Sequence, residues 1–444
     1  MTIFSTYSIK IKNNEYKKLF NETTKKYRNA VDFFIAIYLK ENSLFSSLKT
    51  SHDKLRKMEL LTISTKRNQF PKYDFSLFLY KFPVYYRRAA ISEAIGKAES
   101  YLSNLKNWQA KKTNKRPGYP KAGFVYPSLY RDNTFVRDDT YTAKVKVWIN
   151  NTWDWVSIDL NRGDVDYIMH HCQNRKECVP TMQKRGKQWF LDFGFEEKIK
   201  LNETALEDQI VLGVDLGINS ACVCSAMRKD GTILGREFLS LPREQDSLSH
   251  AVNRVKKAQQ HGATKTPRLW AKVKGINDRI SVLTAEFIIS TAQKYNASVI
   301  VFEHLDKGGK KCGKSKQKIA LWKSQYVQEM VTNKAHRLGI RISHVNAWGT
   351  SKLAFDGSGW VLRGKEAGFK TNSICKFSTG KIYNCDLNAS YNIAARHIIR
   401  ETLKSLPATL RLGIEAKVPQ CTKRSTCTLS TLISLNAALM SVSA

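Results

Sequence analysis

The stretch VLGVDLGIN (211–219) decides how the rest of the chain is read. Its apolar run VLGV ends on a carboxylate, Asp215, and a tight turn is expected at Gly217–Asn219. Two other stretches also set an acid at the boundary of ordered sequence. In VIVFEHLD (299–306) the fully apolar strand SVIVF (298–302) stops at Glu303. In NCDLNASYNIAAR (384–396) Asp386 precedes a helix expected over 388–401, with Leu387, Tyr391, Ala394 and Ile398 on one face. Taken singly, a strand-end Glu is usually a surface residue and an Asp before a helix is usually a cap. Held together, three carboxylates repel, and a divalent metal is the usual reason for gathering them.

Composition supplies the setting. The chain has 444 residues, 42% of them hydrophobic, which is room for two to four domains. Lys plus Arg number 73 against 38 for Asp plus Glu, a net charge of +35. Such an excess attracts a polyanion. An acidic metal site inside a basic chain is the combination that cutting nucleic acid requires. Nine cysteines without the density of a disulfide scaffold suit a reducing cytosol. The start MTIFSTYSIKIKNNEYKK has no signal-peptide core, and no run reaches transmembrane length, so a soluble cytoplasmic protein with no membrane partner is expected.

The surrounding pattern makes an α+β multidomain chain. Residues 5–12 alternate like a strand; 14–40 and 82–108 carry helical spacing. KKTNKRPGYPKAG (111–123) reads as a basic linker, and 124–200 as an antiparallel β module that the first strand joins. The helical region is then an insertion into a β-barrel. From 209 onward come three strands, two long helices (about 243–260 and 267–294, the second with a stripe of Ile276, Ile280, Leu283 and Phe287), the strand ending at Glu303, a Gly/Lys loop, a helix (about 319–338), the strand RISHVNA, an irregular stretch over 348–384 and the last helix. That is a ribonuclease-H-like order. In it Asp215, Glu303 and Asp386 converge at one sheet edge, where they suffice to hold two Mg²⁺ about 4 Å apart, one activating water and one stabilising the leaving oxygen of a phosphodiester.

At these residues the chain resembles the TnpB and miniature type V CRISPR effector family, whose three RuvC motifs look like VLGVDLGIN, VIVFEHLD and NCDLNASYNIAAR. FPVYYRRAAISEAIGKAESYLSNLKNW (82–108) resembles the family's recognition lobe. The resemblance implies a wedge strand (1–12), a helical recognition lobe (13–112), a β-barrel wedge domain (113–205), a RuvC-like nuclease (206–347), a degenerate zinc-ribbon or target nucleic-acid-binding insert (348–384), RuvC motif III (385–402) and a C-terminal tail (403–444) without identifiable chemistry. It also implies an RNA-guided DNA endonuclease of the prokaryotic cytosol, transposon-associated or CRISPR-derived. Its partners would be a guide RNA, double-stranded target DNA and the displaced single strand, and it would act as monomer or homodimer. Asp215, Glu303 and Asp386 would be its catalytic Mg²⁺ ligands.

The departure is in the cysteines. The family's two CxxC pairs are replaced by WGTSKLAFDGSG (348–359) and by Cys375 with Cys385, ten positions apart; Cys222 and Cys224 form a CxC, and Cys172, Cys178, Cys421 and Cys427 have no ribbon spacing. No zinc is expected.

Candidate nucleic-acid contacts are Arg87 and Arg88 in the helical lobe, Lys111, Lys112, Lys115 and Arg116 in the linker, Arg254, Lys256, Lys257 and Lys272 on the long helices, and Lys310, Lys311 and Lys314 in the loop after Glu303. For any single Lys solubility is the commoner role. Tyr85 and Tyr86 read equally as lobe packing or flank contacts, and Trp108 as core. An actin-like ATPase shares the sheet order, but its later glycine-rich phosphate loops are missing here. A nuclease-inactive RNA-guided binder conflicts with three intact carboxylates.

Overall fold

The computed structural model describes residues 1–66, 68–217, 221–305 and 321–443. It forms two compact units, Thr2–Lys198 and residues 199–444 with Met1.

In the first unit β1 (Thr2–Lys10) is followed by helices α1 (Lys17–Lys40), α2 (Asn42–Ser46), α3 (Ser51–Thr62), α4 (Phe75–Phe78) and α5 (Val84–Gln109). Then come β2 (Phe135–Arg137), β3 (Thr142–Ile149), β4 (Thr152–Asp159), α6 (Arg162–His171), β5 (Lys176–Glu177), β6 (Thr181–Arg185) and β7 (Gln188–Lys198). β1 pairs antiparallel with β7 from Thr2↔Lys198 to Lys10↔Phe190, so the helices are an insertion between two neighbouring strands, as expected. α1 buries Phe20, Tyr27, Val31, Phe34 and Tyr38, its apolar positions at helical spacing.

The expected closed barrel is corrected. The strands make two open sheets, one of β1, β5, β6 and β7 and one of β2, β3 and β4. Single bridges, Ile11↔Leu160 and Ser128↔Thr181, touch where ladders would have to run. Pro127 and Pro180 accept from Met182 N (3.0 Å) and Leu129 N (2.8 Å) beside the second bridge but have no N–H to extend it. α6 is a further departure from an all-β reading of 124–200. Asn161 caps it, its side chain accepting from the Gly163 amide.

The second unit is built on β8 (Val211–Asp215), β9 (Cys222–Met227), β10 (Ile233–Leu239), β11 (Val299–His304) and β12 (Arg341–Asn346), in the spatial order β10-β9-β8-β11-β12. β8, β9 and β10 are antiparallel neighbours, while β11 is parallel to both β8 and β12. The ribonuclease-H-like order stands. Helices α7 (Pro242–Gln260), α8 (Pro267–Lys294) and α9 (Ser324–Arg337) intervene. A small sheet of β13 (Leu362–Arg363), β14 (Ile374–Lys376) and β15 (Ile382–Asn384) lies within the stretch expected to be irregular. α10 (Cys385–Ser405), α11 (Ala408–Lys417) and α12 (Leu429–Ser443) complete the described chain.

Both faces of the sheet's centre are covered, which is why β8, β9 and β11 are almost continuously buried while the edge strands β10 and β12 are not. Leu212, Val214, Ile300 and Phe302 pack with residues of α8 and α9, including Ala285, Ile288 and Val331. Val211, Val299, Val301 and Val345 face the other way, onto α10 and the tail. The tail is therefore core: Leu432 and Leu435 are fully buried. On α8 the enclosed face is Val273, Asn277, Ser281, Thr284, Ala285 and Ile288, while the expected stripe of Ile276, Ile280, Leu283 and Phe287 is half-buried.

Candidate active site

The strand period of two places the acids. Along β8, Val211 and Gly213 face α10, so Asp215 does too; along β11, Val299 and Val301 do, and so does Glu303. β8 and β11 are in register from Val299↔Val211 to Phe302↔Val214, and one step further sets Glu303 beside Asp215. The third acid arrives on α10. Its N-cap is Asn384, whose side chain accepts from the amides of Asp386 (3.0 Å) and Leu387 (2.9 Å). Asp386 is therefore not the cap but lies in the first helical turn, where the helix dipole favours an anion.

Gly213 sets the spacing. A Cβ there would fall within 3.0 Å of the Ser390 carbonyl and 2.9 Å from the Ala394 Cβ. Only a glycine lets α10 lie this close to β8, one turn past Asp386.

All three carboxylates keep partial solvent access. Burial, then the charges of Glu303 and Asp386, push the Asp215 carboxyl well above the usual range, with Arg363 opposing. Burial also pushes Glu303 up, against the Thr350 hydroxyl and the Arg396 charge. This donor set, three oxygen anions short of positive charge, suits a hard divalent cation. Among the described residues, no three His, Cys, Asp or Glu side chains are drawn close enough to hold an ion as they stand.

A polar frame that motif spacing did not single out holds the site. Thr350 Oγ1 donates to Glu303 Oε1, and Gln328 Nε2 donates to the Glu303 carbonyl (3.0 Å). The Thr350 carbonyl accepts from Asn392 Nδ2 (2.9 Å), and Asn388 Nδ2 donates to the Leu353 carbonyl (2.9 Å). Arg396 Nη1 donates to the carbonyls of Asn346 (2.7 Å) and Trp348 (2.9 Å), and its Nε to that of Cys427 (2.9 Å). Asn388, Asn392 and Arg396 recur every fourth residue on a buried helix, a periodicity that could have revealed them. Nothing local marks Thr350.

The basic candidates separate. Lys111, Lys112, Lys115, Arg116, Arg254, Lys256, Lys257 and Lys272 are exposed. Arg87 is largely enclosed and shares Glu59 with Arg88 (3.7 and 2.9 Å). Tyr86 is fully buried and donates to the Lys146 carbonyl (2.7 Å), which is packing; Tyr85 rests against Tyr130. Trp108 is half-buried rather than core, with the Arg116 guanidinium 5.5 Å from its ring centre. Lys310, Lys311 and Lys314, and the turn from Ile218, lie outside the described residues.

The model of the Aq_aa04 family matches residues 5–149. An Aquifex aeolicus (strain VF5) protein, "Uncharacterized protein aq_aa04", is 31% identical over 125 residues, 26% of this chain and 70% of that protein. The chain belongs to the Aq_aa04 family. Residues 325–393, which hold Thr350, the small sheet and Asp386, match the Cas12f1-like TNB domain. The fold is that of the protein in a Cas12f1–sgRNA–target DNA complex, with a TM-score of 0.51, 15% identity, and 86% of this chain and 82% of that one covered. A mini-RNA-guided endonuclease, CRISPR-Cas_phi3, is a more distant match, with a TM-score of 0.48 at 11% identity over 90% of this chain and 92% of that one. The resemblance to TnpB and the miniature type V effectors is borne out, and so is the mixed α/β multidomain class. Among the described residues no helix is long and apolar enough to cross a membrane.

Proposed function

We propose that this Aq_aa04-family chain is an RNA-guided DNA endonuclease that cuts at one RuvC-type site formed by Asp215, Glu303 and Asp386. The observation that carries the reading is the side-by-side placement of Asp215 and Glu303 on the face that α10 covers, with burial raising the proton affinity of both and the charges of Glu303 and Asp386 raising that of Asp215 further. The Cas12f1-like fold supports it, and the net charge of +35 suits a chain that holds RNA and DNA together.

The three carboxylates would hold Mg²⁺, which when bound supplies an activated water and stabilises the leaving oxygen of the phosphodiester. Thr350 fixes the Glu303 carboxylate through Oε1. Asn388 and Asn392 tie the segment around Thr350 to the helix that carries Asp386, so two of the three acids share one frame. Exposed Arg254, Lys256, Lys257 and Lys272 would contact phosphates, and the segment 348–384 would load the target strand. Guide pairing would supply sequence specificity, and the protein would read a short motif beside the target.

The test begins with the RNA that co-purifies with the chain. Its sequence defines a guide, and a plasmid library carrying the complementary target beside randomised flanks is then incubated with the complex in Mg²⁺. Cutting at a defined flank, lost in Asp215→Ala, is the expected result. Normal cutting by Asp215→Ala would overturn the site. Specific binding without cutting would leave an RNA-guided binder.

A further inference from the structure

α10 runs from Cys385, beside Asp386, to Ser405, and a second polar constellation lies near its far end. Val299 and Arg341, the first residues of β11 and β12, line a cavity of about 360 Å³ together with His397 and Arg400. Val299 lies four residues before Glu303, about 13 Å along the strand. His397 lies eleven residues after Asp386, about 17 Å along the helix. The cavity is thus separate from the carboxylate site.

Its hydrogen-bond accounting is incomplete on the donor side. Arg400 is fully engaged: Nη1 donates to the His344 carbonyl (2.9 Å), Nη2 to Ser343 Oγ (2.7 Å) and Nε to Glu401 Oε1 (2.8 Å). Arg400 Nη2 also lies 3.1 Å from His397 Nδ1, and Ser343 Oγ lies 3.0 Å from the same atom. A guanidinium only donates, so Nδ1 is the accepting nitrogen. Burial, then the Arg400 charge, lower the His397 pKa to about 4, which leaves a neutral ring with its proton on Nε2. That Nε2–H is enclosed and has no partner, and the same is true of Arg341 Nε and Nη2. His397 is 5% exposed. The one acid on the wall, Glu401, is occupied by Arg400 and by Lys404 (3.3 Å). Three enclosed N–H donors on two side chains, one of them a full positive charge, therefore want an oxygen-rich anion.

We propose that this cavity is a phosphate-binding site that takes a phosphate monoester, with Arg341 and His397 Nε2 as donors and Arg400 holding His397 in the donating tautomer. The monoester comes from a free mononucleotide or from the 5′ end of a bound strand. Both donors are enclosed in the unliganded chain, so Arg341 turns its guanidinium outward and the wall beside His397 Nε2 opens to admit the anion. The proposal stands apart from the endonuclease reading, since it needs neither Mg²⁺ nor a guide.

Full-length protein stripped of nucleic acid tests it by calorimetric titration at fixed ionic strength with inorganic phosphate, adenosine 5′-monophosphate, and a short RNA with a 5′-phosphate or a 5′-hydroxyl. Phosphate and the monophosphate should bind, and Arg341→Met should weaken both by about tenfold or more. Should Arg341→Met fail to fold, Ser405→Glu serves instead: Ser405 is exposed at the rim, and the added charge should weaken binding similarly. Preference for 5′-phosphorylated over 5′-hydroxyl RNA assigns the strand end; binding of the mononucleotide without that preference assigns the free nucleotide. If wild type binds neither phosphate nor the monophosphate, or if a folded variant binds them as well as wild type, the site does not exist.

Discussion

At the scale of single residues, Asp215 turns geometry into a measurable pH dependence. Its folded-state proton affinity is raised by burial and by Glu303 and Asp386. The folded protein therefore binds more protons than the unfolded one, and stability falls as pH rises from the ordinary Asp range, about 3.9, toward the raised value. Each tenfold in proton affinity is worth about 1.4 kcal/mol, and the partial solvent access of Asp215 keeps the effect toward the low end. Asp215→Asn should accordingly stabilise the Mg²⁺-free protein at pH 7.5 while abolishing cutting. Urea midpoints measured from pH 4.5 to 8, with chelator present, should show its advantage widening and then levelling; an advantage that shrinks with pH would contradict the electrostatics. Thr350 acts through Glu303. Thr350→Val keeps the shape and removes the hydroxyl, so cleavage should fall by about 10- to 100-fold. Its apparent Mg²⁺ requirement should rise while target binding holds, and an unchanged Mg²⁺ titration would rule the contact out as a positioning device.

At the scale of elements, the close approach of α10 to β8 can be probed through Gly213. Gly213→Ala brings a methyl against the Ser390 carbonyl, which as helix backbone cannot step aside. A loss of about 1–3 kcal/mol is expected by chemical unfolding. Cutting should fall more than RNA binding does, because the displaced helix carries Asp386; equal losses in both would point to general unfolding instead. The elements around the acids were legible because their signals are local: an apolar strand such as SVIVF ending in Glu303, and helical periodicity after Asp386. What escaped depends on distant partners. The enclosed face of α8 interrupts Val273 and Ile288 with Asn277, Ser281 and Thr284, Asn277 donating to the Leu321 carbonyl (2.6 Å), so hydrophobicity alone picked the half-buried stripe beside it. Thr350 is marked only by Glu303, 47 positions earlier. The barrel stayed open because two prolines sit where a ladder was needed, and short alternating strands read alike in open and closed sheets.

At the scale of the whole molecule, a net charge of +35 makes salt the main control on nucleic-acid affinity. Binding should fall by about 10³- to 10⁵-fold between 50 and 200 mM salt in filter-binding assays. Replacing one exposed contact, for instance Lys256→Ala, should lower the logarithmic slope by about one. A flat salt response would argue that the charge serves solubility alone.

Residues 427–435 give α10 a second wall. Arg396, which also grips Asn346 and Trp348, donates its Nε to the Cys427 carbonyl, and Asn392 Oδ1 receives the Leu429 amide (3.3 Å). Leu432 and Leu435 then seal the face of α10 that the sheet does not cover. These contacts reach α10 from residues that follow all three acids in the sequence. The helix bearing Asp386 is thus clamped between the sheet and residues 427–435. On the proposed reading, deleting residues 427–435 should free that helix and cost the chain its cutting.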